Sequence, residues 1–252
     1  MIVIKNSEQL ALMSRAGRIT AEALLVAKEA IRPGISTKEL DTKIRHFIEK
    51  SGATPSFLGY GGFPGSACIS INDEVIHGIP SAKRVLCEGD IVKVDVGARF
   101  RGYNGDSART FAVGKVSDEA LRLISVTEKS FYEAIKQARA GNRIGDIGSA
   151  VENFVISNGY SVVRSYTGHG IGTQLHEEPE IPNFGRAGRG ARLYPGMTLA
   201  IEPMVNSGTD KVRVLSDGWT VITLDGKLSA HYENSIAITD SDPVILTAIG
   251  LD

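Results

Sequence analysis

Arg32–Gly52 reads RPGISTKELDTKIRHFIEKSG, and Arg139–Gly159 reads RAGNRIGDIGSAVENFVISNG, one pattern stated twice at an offset of 107 residues. Arg32 corresponds to Arg139, Gly34 to Gly141, Glu39 to Asp146 and Leu40 to Ile147. Farther on, Ile44 corresponds to Val151, Phe47 to Phe154 and Gly52 to Gly159. Apolar residues at 40, 44, 47 and 48 share one helical face, and the glycine beyond them is a C-terminal stop.

The offset extends past the helices. VLCEGDIVKVDV (85–96) sets Leu86, Gly89, Val92, Val94 and Asp95 against Leu193, Gly196, Leu199, Ile201 and Glu202. Two acidic residues therefore end two equivalent apolar strands. Duplication about a pseudo-twofold axis would bring both strands to the centre of the molecule, where a shared site can form. Periodicity predicts helices near 8–30, 37–50, 117–138 and 144–157. It predicts strands near 67–72, 91–97, 106–113, 161–167, 197–204, 219–224 and 231–239. Helices beside hairpin-joined strands indicate an α+β fold. With no Pro/Ser-rich linker, 1–252 reads as one catalytic domain with repeat halves of about 8–113 and 117–239.

Composition narrows the function classes. The 252 residues are 42% hydrophobic and 23% charged, ordinary for a soluble globular protein. The net charge of −1 and the lack of a basic block argue against nucleic-acid binding. MIVIKNSEQL has no basic region followed by a long apolar run, so no signal peptide is read. No apolar stretch approaches the ~20 residues that cross a bilayer. Cys68 and Cys87 form neither a disulfide framework nor a metal-spaced motif, and read as reduced thiols of a cytoplasmic protein.

Five residues stand out as candidates for a shared site, Asp95, Asp106, His169, Glu202 and Glu233, against the plainer reading of two surface aspartates on a hairpin, a solvent-facing loop histidine and a strand-start Glu233. Four carboxylates gathered without a cation repel one another and take up protons. An oxygen-rich set with one nitrogen and no sulfur suits a pair of divalent metals better than a structural zinc. Asp95 and Asp106 flank a hairpin, DVGARFRGYNGD, whose midpoint falls between Phe100 and Arg101. A tight turn there sets them opposite on one face, with Cβ atoms ~4.5–5.5 Å apart. A bulge near Gly102 or Gly105 would spoil that pairing. Glu202, after MTLAI and before Pro203, is an unusual carboxylate at the end of a buried strand. His169 lies among Gly168, Gly170 and Gly172, which let the backbone crowd close to whatever the ring touches. HEEPE (176–180) does not fit the zinc-protease signature, because position 180 is Glu and Pro179 breaks the helix it requires.

Read together, NDEVIHGIP (72–80), VDVGARFRGYNGDSART (94–110), YTGHGIGTQLHEEPEIPNF (166–184), LAIEPM (199–204) and AHYENSIAIT (230–239) resemble the successive signature blocks of methionine aminopeptidases of the short bacterial type I class. The similarity spans about residues 3 to 250, with neither a zinc-finger extension nor the helical insertion of type II enzymes. It implies the duplicated pita-bread fold, a central antiparallel-rich sheet flanked by helices. It implies two divalent ions (Co, Mn, Fe or Zn) on Asp95, Asp106, His169, Glu202 and Glu233. His77 and His176 match the family histidines that contact substrate. Tyr60, Phe63, Cys68 and Trp219 match the methionine pocket, with Phe57 and Leu175 nearby as departures from some relatives.

The activity implied is removal of the initiator methionine from nascent chains, by attack of a metal-bridging hydroxide on the first peptide bond. Glu202 would carry the proton, and His176 and His77 would assist at the scissile carbonyl. A small second residue is expected, in a monomer with transient ribosome contact and no membrane or direct nucleic-acid partner. A proline-type aminopeptidase or dipeptidase of the same fold is the nearest alternative, though those relatives usually carry a further N-terminal domain. A non-catalytic binding relative is the other, and such proteins typically lose metal ligands.

Overall fold

In the computed structural model, which describes residues 1–248, the two repeat segments adopt the same backbone. Helices α1 (Ser7–Ala30), α2 (Thr37–Lys50), α3 (Asp118–Gln137) and α4 (Ile144–Ser157) match the four expected from periodicity. Before α2 and α4, the N–H groups of Ser36 and Arg143 donate to the carboxylates of Glu39 and Asp146. The Gly34 N–H donates to the Leu86 carbonyl at 2.8 Å, and its counterpart Gly141 donates to Leu193 at 3.0 Å. Ser36 bridges Val85, as Arg143 bridges Arg192. Gly34 and Gly141 hold φ of 89° and 96°, a conformation that a side chain would strain. The two segments thus share caps, bridges and glycine conformations as well as sequence. The last four residues of the expected 1–252 unit lie outside the described residues.

Every strand ladder among the described residues is antiparallel, but the sheet is divided into four hydrogen-bonded pieces. One piece contains the long hairpin Ile91–Phe100 and Tyr103–Ala112, flanked by Ala67–Ile71. Another sets Asn234–Ala237, Thr198–Ile201, Gly168–Gly170 and Glu177–Ile181 side by side. The two pieces are stitched along a seam. Ala108 and Glu233 exchange backbone hydrogen bonds of 3.3 and 2.9 Å. The Ser235 hydroxyl accepts from the Asp106 N–H and donates to the Asp106 carbonyl, both at 2.9 Å.

The hairpin turns one residue later than its aspartates suggest, which shifts every cross-strand partner by two. Phe100 pairs with Tyr103 across Arg101–Gly102, whose φ values of 46° and 87° fit a two-residue primed turn. Asp95 therefore faces Ala108 and Asp106 faces Gly97, so the two carboxylates are diagonal neighbours, not direct opposites. A displacement of two preserves side-chain alternation, and this ladder has no bulge; both aspartates stay on one face.

Two strands expected to be continuous are interrupted. Thr198–Ile201 gives way at Glu202–Pro203 before Met204–Asn206, and Ser229–His231 gives way at Tyr232–Glu233 before Asn234–Ala237. The interruptions face each other, since Ile201 pairs with Asn234 and Met204 with His231. Pro203 has no N–H for a ladder, and the break leaves both glutamates outside regular pleating. The expected strands 161–167 and 219–224 shorten to Ser161–Val162 and Val221–Thr223.

Each half packs its own core. Ile19 and Leu24 of α1 and Leu40 and Ile44 of α2 cover Val92, Val94 and Val96. Leu123 and Phe131 of α3 and Ile147 and Val151 of α4 cover Leu199, Ile201 and Val205. Helix α1 crosses the hairpin at Gly17 and Gly105, where a Cβ on Gly105 would stand 2.6 Å from the Gly17 Cα. Gly105→Ala should lower stability by about 1–3 kcal/mol through overpacking. A urea midpoint unchanged from wild type would show that α1 can shift to make room.

Candidate active site

The seam and the facing interruptions open into one cavity of about 260 Å³. Asp95, Asp106, His169, Glu202 and Glu233 line its floor, and His77 and His176 stand on its walls. Tyr60, Phe63, Cys68 and Trp219 close one side together with Phe57 and Leu175. The structure therefore brings every residue singled out from the sequence to the same place. What each does there is a matter of chemistry.

His169 is fixed by its neighbours. A Cβ on Gly168 would stand 2.3 Å from the Ala200 carbonyl oxygen, and one on Gly170 2.2 Å from that of Glu178. Only glycines let this strand lie so close to both flanking strands. The His169 Nδ1 is 2.9 Å from the Gly170 carbonyl oxygen. A carbonyl can only accept, so Nδ1 carries the proton and Nε2 is left with a bare lone pair. That lone pair looks at carboxylates: Nε2 is 3.6 Å from Glu202 Oε1 and 3.9 Å from Asp106 Oδ2. Burial and, second, the His176 ring hold the His169 pKa down at about 3, so the imidazole stays neutral.

The carboxylates are in the opposite condition. Burial pushes the Asp106 pKa up to about 7. Asp95 is raised well above the ordinary range, by burial first and then by the charges of Asp106 and Glu202. Glu202 is raised by burial and by Asp106, and Glu233 by burial and by its three acidic neighbours. Asp95 Oδ1, Asp106 Oδ1 and Glu233 Oε1 are buried with no hydrogen-bond partner among the described residues.

Donor atoms of Asp106, His169 and Glu233 lie within 4.8 Å of one another. Unpartnered carboxylate oxygens with a lone pair aimed among them fit a cation, which would displace their protons. An all-oxygen-and-imidazole set suits divalent ions of intermediate hardness.

The walls differ from the floor. Phe63 packs edge-on against Trp219 with centroids 5.2 Å apart, and Phe57, Cys68 and Leu175 share their apolar cluster. Cys68 is paired with Asp95 in the ladder, and burial, then Asp95, push its thiol pKa well up. It remains a protonated wall residue. His77 has a φ of 60°, unusual for a residue with a side chain, and stands edge-on to Tyr166 and Trp219. Burial, and next the His176 charge, lower its pKa to about 4. The His176 Nδ1 is 2.7 Å from the Tyr60 hydroxyl, and its ring centroid is 4.1 Å from that of His169. HEEPE leads into the strand Glu177–Ile181, consistent with rejecting the helical zinc signature.

One residue escaped the sequence reading. His231 is buried with its Nε2 3.7 Å from Glu202 Oε2. Two-residue alternation from Glu233 was the signal that could have marked it.

A cation-binding carboxylate–imidazole floor beneath an apolar pocket, on a duplicated antiparallel scaffold, defines a metallohydrolase of pita-bread architecture. The chain belongs to metallopeptidase family M24, whose pattern matches residues 11–240. Within that family it falls among the methionine aminopeptidases. It is 55% identical to the methionine aminopeptidase of Clostridium acetobutylicum, over 98% of this chain and 99% of that one. It superposes on the crystal structure of methionine aminopeptidase from Thermotoga maritima with a TM-score of 0.97 and 43% identity, covering 99% and 100% of the two chains. Prolidase from Pyrococcus furiosus shares the fold, with a TM-score of 0.81 at 24% identity, over 98% of this chain and 66% of that one.

Because burial loads the carboxylates with protons and His169 is already neutral, the protein's own share of proton release on metal loading should come from the carboxylates. Calorimetric titration of chelator-treated protein with Mn(II) at pH 7, in two buffers of different ionisation enthalpy, should show net proton release. The release should shrink as the pH rises above the Asp106 value of about 7. Proton-neutral binding at pH 7 would contradict this charge state.

Proposed function

We propose that the chain removes N-terminal methionine from polypeptides, with a small uncharged residue preferred in second place. The supporting observation is that the ligand floor and a thioether-sized aromatic pocket belong to one cavity. Sulfur of a methionine side chain packs favourably against aromatic rings such as those of Phe63 and Trp219. The full-length likeness is to methionine aminopeptidases, which favours this reading over a proline-type peptidase.

Asp95 and Asp106 would hold one divalent ion, and His169 and Glu202 a second, with Asp106 and Glu233 shared between them. Such ions, of Co, Mn, Fe or Zn, would supply Lewis acidity and a water of lowered pKa. Glu202 takes the proton from the attacking water and delivers it to the leaving amine as the C–N bond breaks. His176 and His77, both neutral, donate an N–H to the scissile carbonyl oxygen as charge develops there. The role requires the His176 proton on Nε2, and the Tyr60 hydroxyl, 2.7 Å from Nδ1, is placed to donate to that tautomer. The acidic floor attracts a free α-amine, which restricts action to chain ends. We place the protein in the cytoplasm as a monomer and single catalytic unit, with repeat halves of about 8–113 and 117–239. It acts on nascent N-termini, with transient ribosome contact and no direct nucleic-acid binding. No helix among the described residues is long and apolar enough to cross a membrane.

Glu202→Gln should lower kcat by roughly 10²–10⁴-fold, the range typical of a lost general base, while thermal unfolding changes little. A kcat near wild type would remove Glu202 from proton transfer. Substrate choice is read from Met-Gly-Met-Met against peptides beginning Met-Leu or Met-Lys, and against proline dipeptides. Fast release from Met-Gly alone is expected. Equal rates on all methionyl peptides would refute the second-residue preference, and cleavage of proline dipeptides alone would establish the alternative activity.

A further inference from the structure

His231 ends the strand Ser229–His231, opposite Met204 and therefore beside Glu202. Its side chain is 2% exposed, and neither ring nitrogen has a hydrogen-bond partner among the described residues. Its backbone, by contrast, is firmly placed: the His231 N–H donates to the Thr110 hydroxyl at 2.9 Å, and that hydroxyl donates to the His231 carbonyl at 2.8 Å. The backbone is thus fixed, and the ring sits in a buried place with its polar atoms uncommitted.

Glu202 lies between two imidazoles, with Oε1 3.6 Å from His169 Nε2 and Oε2 3.7 Å from His231 Nε2. The two contacts are not alike. His169 uses its one N–H on the Gly170 carbonyl and turns a lone pair toward Glu202. His231 has no such carbonyl partner, so its one N–H is free to serve. A buried N–H without an acceptor is costly, and among the described residues Glu202 is the only carboxylate within 4.0 Å of this ring. A side-chain adjustment of roughly half an ångström to an ångström brings the pair to hydrogen-bond distance.

We infer that His231 is a positioning residue for Glu202: its Nε2–H donates to Glu202 Oε2 and gives the two carboxylate oxygens different tasks. The inference rests on the proposed role of Glu202 as proton carrier. A carboxylate that both binds a cation and moves a proton is served by a donor that fixes the plane of the group. A donor on Oε2 does so and leaves Oε1 on the His169 side.

The contact and its consequence are tested separately. In Zn(II)-loaded protein carrying ¹⁵N-histidine, the His231 signals are assigned by their loss in His231→Gln. The Nε2–H tautomer is expected; an Nδ1–H tautomer or a doubly protonated ring would overturn the inference whatever the activity. In the metal-loaded enzyme acting on Met-Gly-Met-Met, His231→Leu should lower kcat at least tenfold with KM within threefold. His231→Gln, whose amide can donate from nearly the same point, should recover at least a third of the wild-type kcat. Equal losses in both variants, a loss confined to KM, or full activity in the leucine variant would each overturn it. If wild type itself does not cleave methionyl peptides, the functional proposal fails, and the tautomer still decides the contact.

Discussion

Mutual repulsion among Asp95, Asp106, Glu202 and Glu233 is the constraint under which the rest of the chain is built. Burial raises the proton affinity of all four, acidic neighbours raise that of Asp95, Glu202 and Glu233 further, and the protein supplies little positive charge within the cavity itself. Its nearest fixed cation stands behind the floor, where the Arg109 guanidinium lies over the Tyr232 ring and donates to the Glu233 carbonyl at 2.7 Å. That contact anchors the backbone of a ligand and only modestly lowers its carboxylate. The cost of gathering four acids is therefore met by rigid backbone: ladders, the seam and two separate apolar cores hold the groups where they would not settle alone.

Duplication explains how such a cluster is assembled. Each half is a helix pair over a short sheet with its own core, and each carries an acidic residue at the matched position: Asp95 inside the strand Ile91–Phe100, not at its end as the sequence suggested, and Glu202 just past Thr198–Ile201. The halves meet along strand edges that are paired, where side chains can converge without exposed ladders. The interruptions at Glu202–Pro203 and Tyr232–Glu233 then do what a regular strand cannot, aiming two long carboxylates into the space between the sheets.

Much of this was legible in the sequence because it obeys local rules. The helices carry clean 3.6-residue periodicity, caps and glycine stops, so their limits were readable to within a residue or so. The hairpin register was misjudged by two residues, because it is set by the turn chemistry of Arg101–Gly102 and not by the midpoint between aspartates. The strands Gly168–Gly170 and Glu177–Ile181 were not predicted, since their glycines and glutamates are dictated by close packing and site chemistry, against strand propensity. Spacing placed Asp95, Asp106 and Glu202 in one neighbourhood, whereas His169 and Glu233 needed the family resemblance. His231 passed unnoticed because a buried histidine two residues from an acid has no motif of its own.

The distribution of donors between the halves has a thermodynamic meaning. Asp95 and Asp106 come from the first repeat, and His169, Glu202 and Glu233 from the second. Cations bound among them act as a clasp across the seam, so ion affinity and the closeness of the halves are linked quantities. Whatever pries the halves apart must loosen the ions to the same degree. Conversely, a cation held by donors from both sets of strands would join them more firmly, so resistance to unfolding would rise with its concentration.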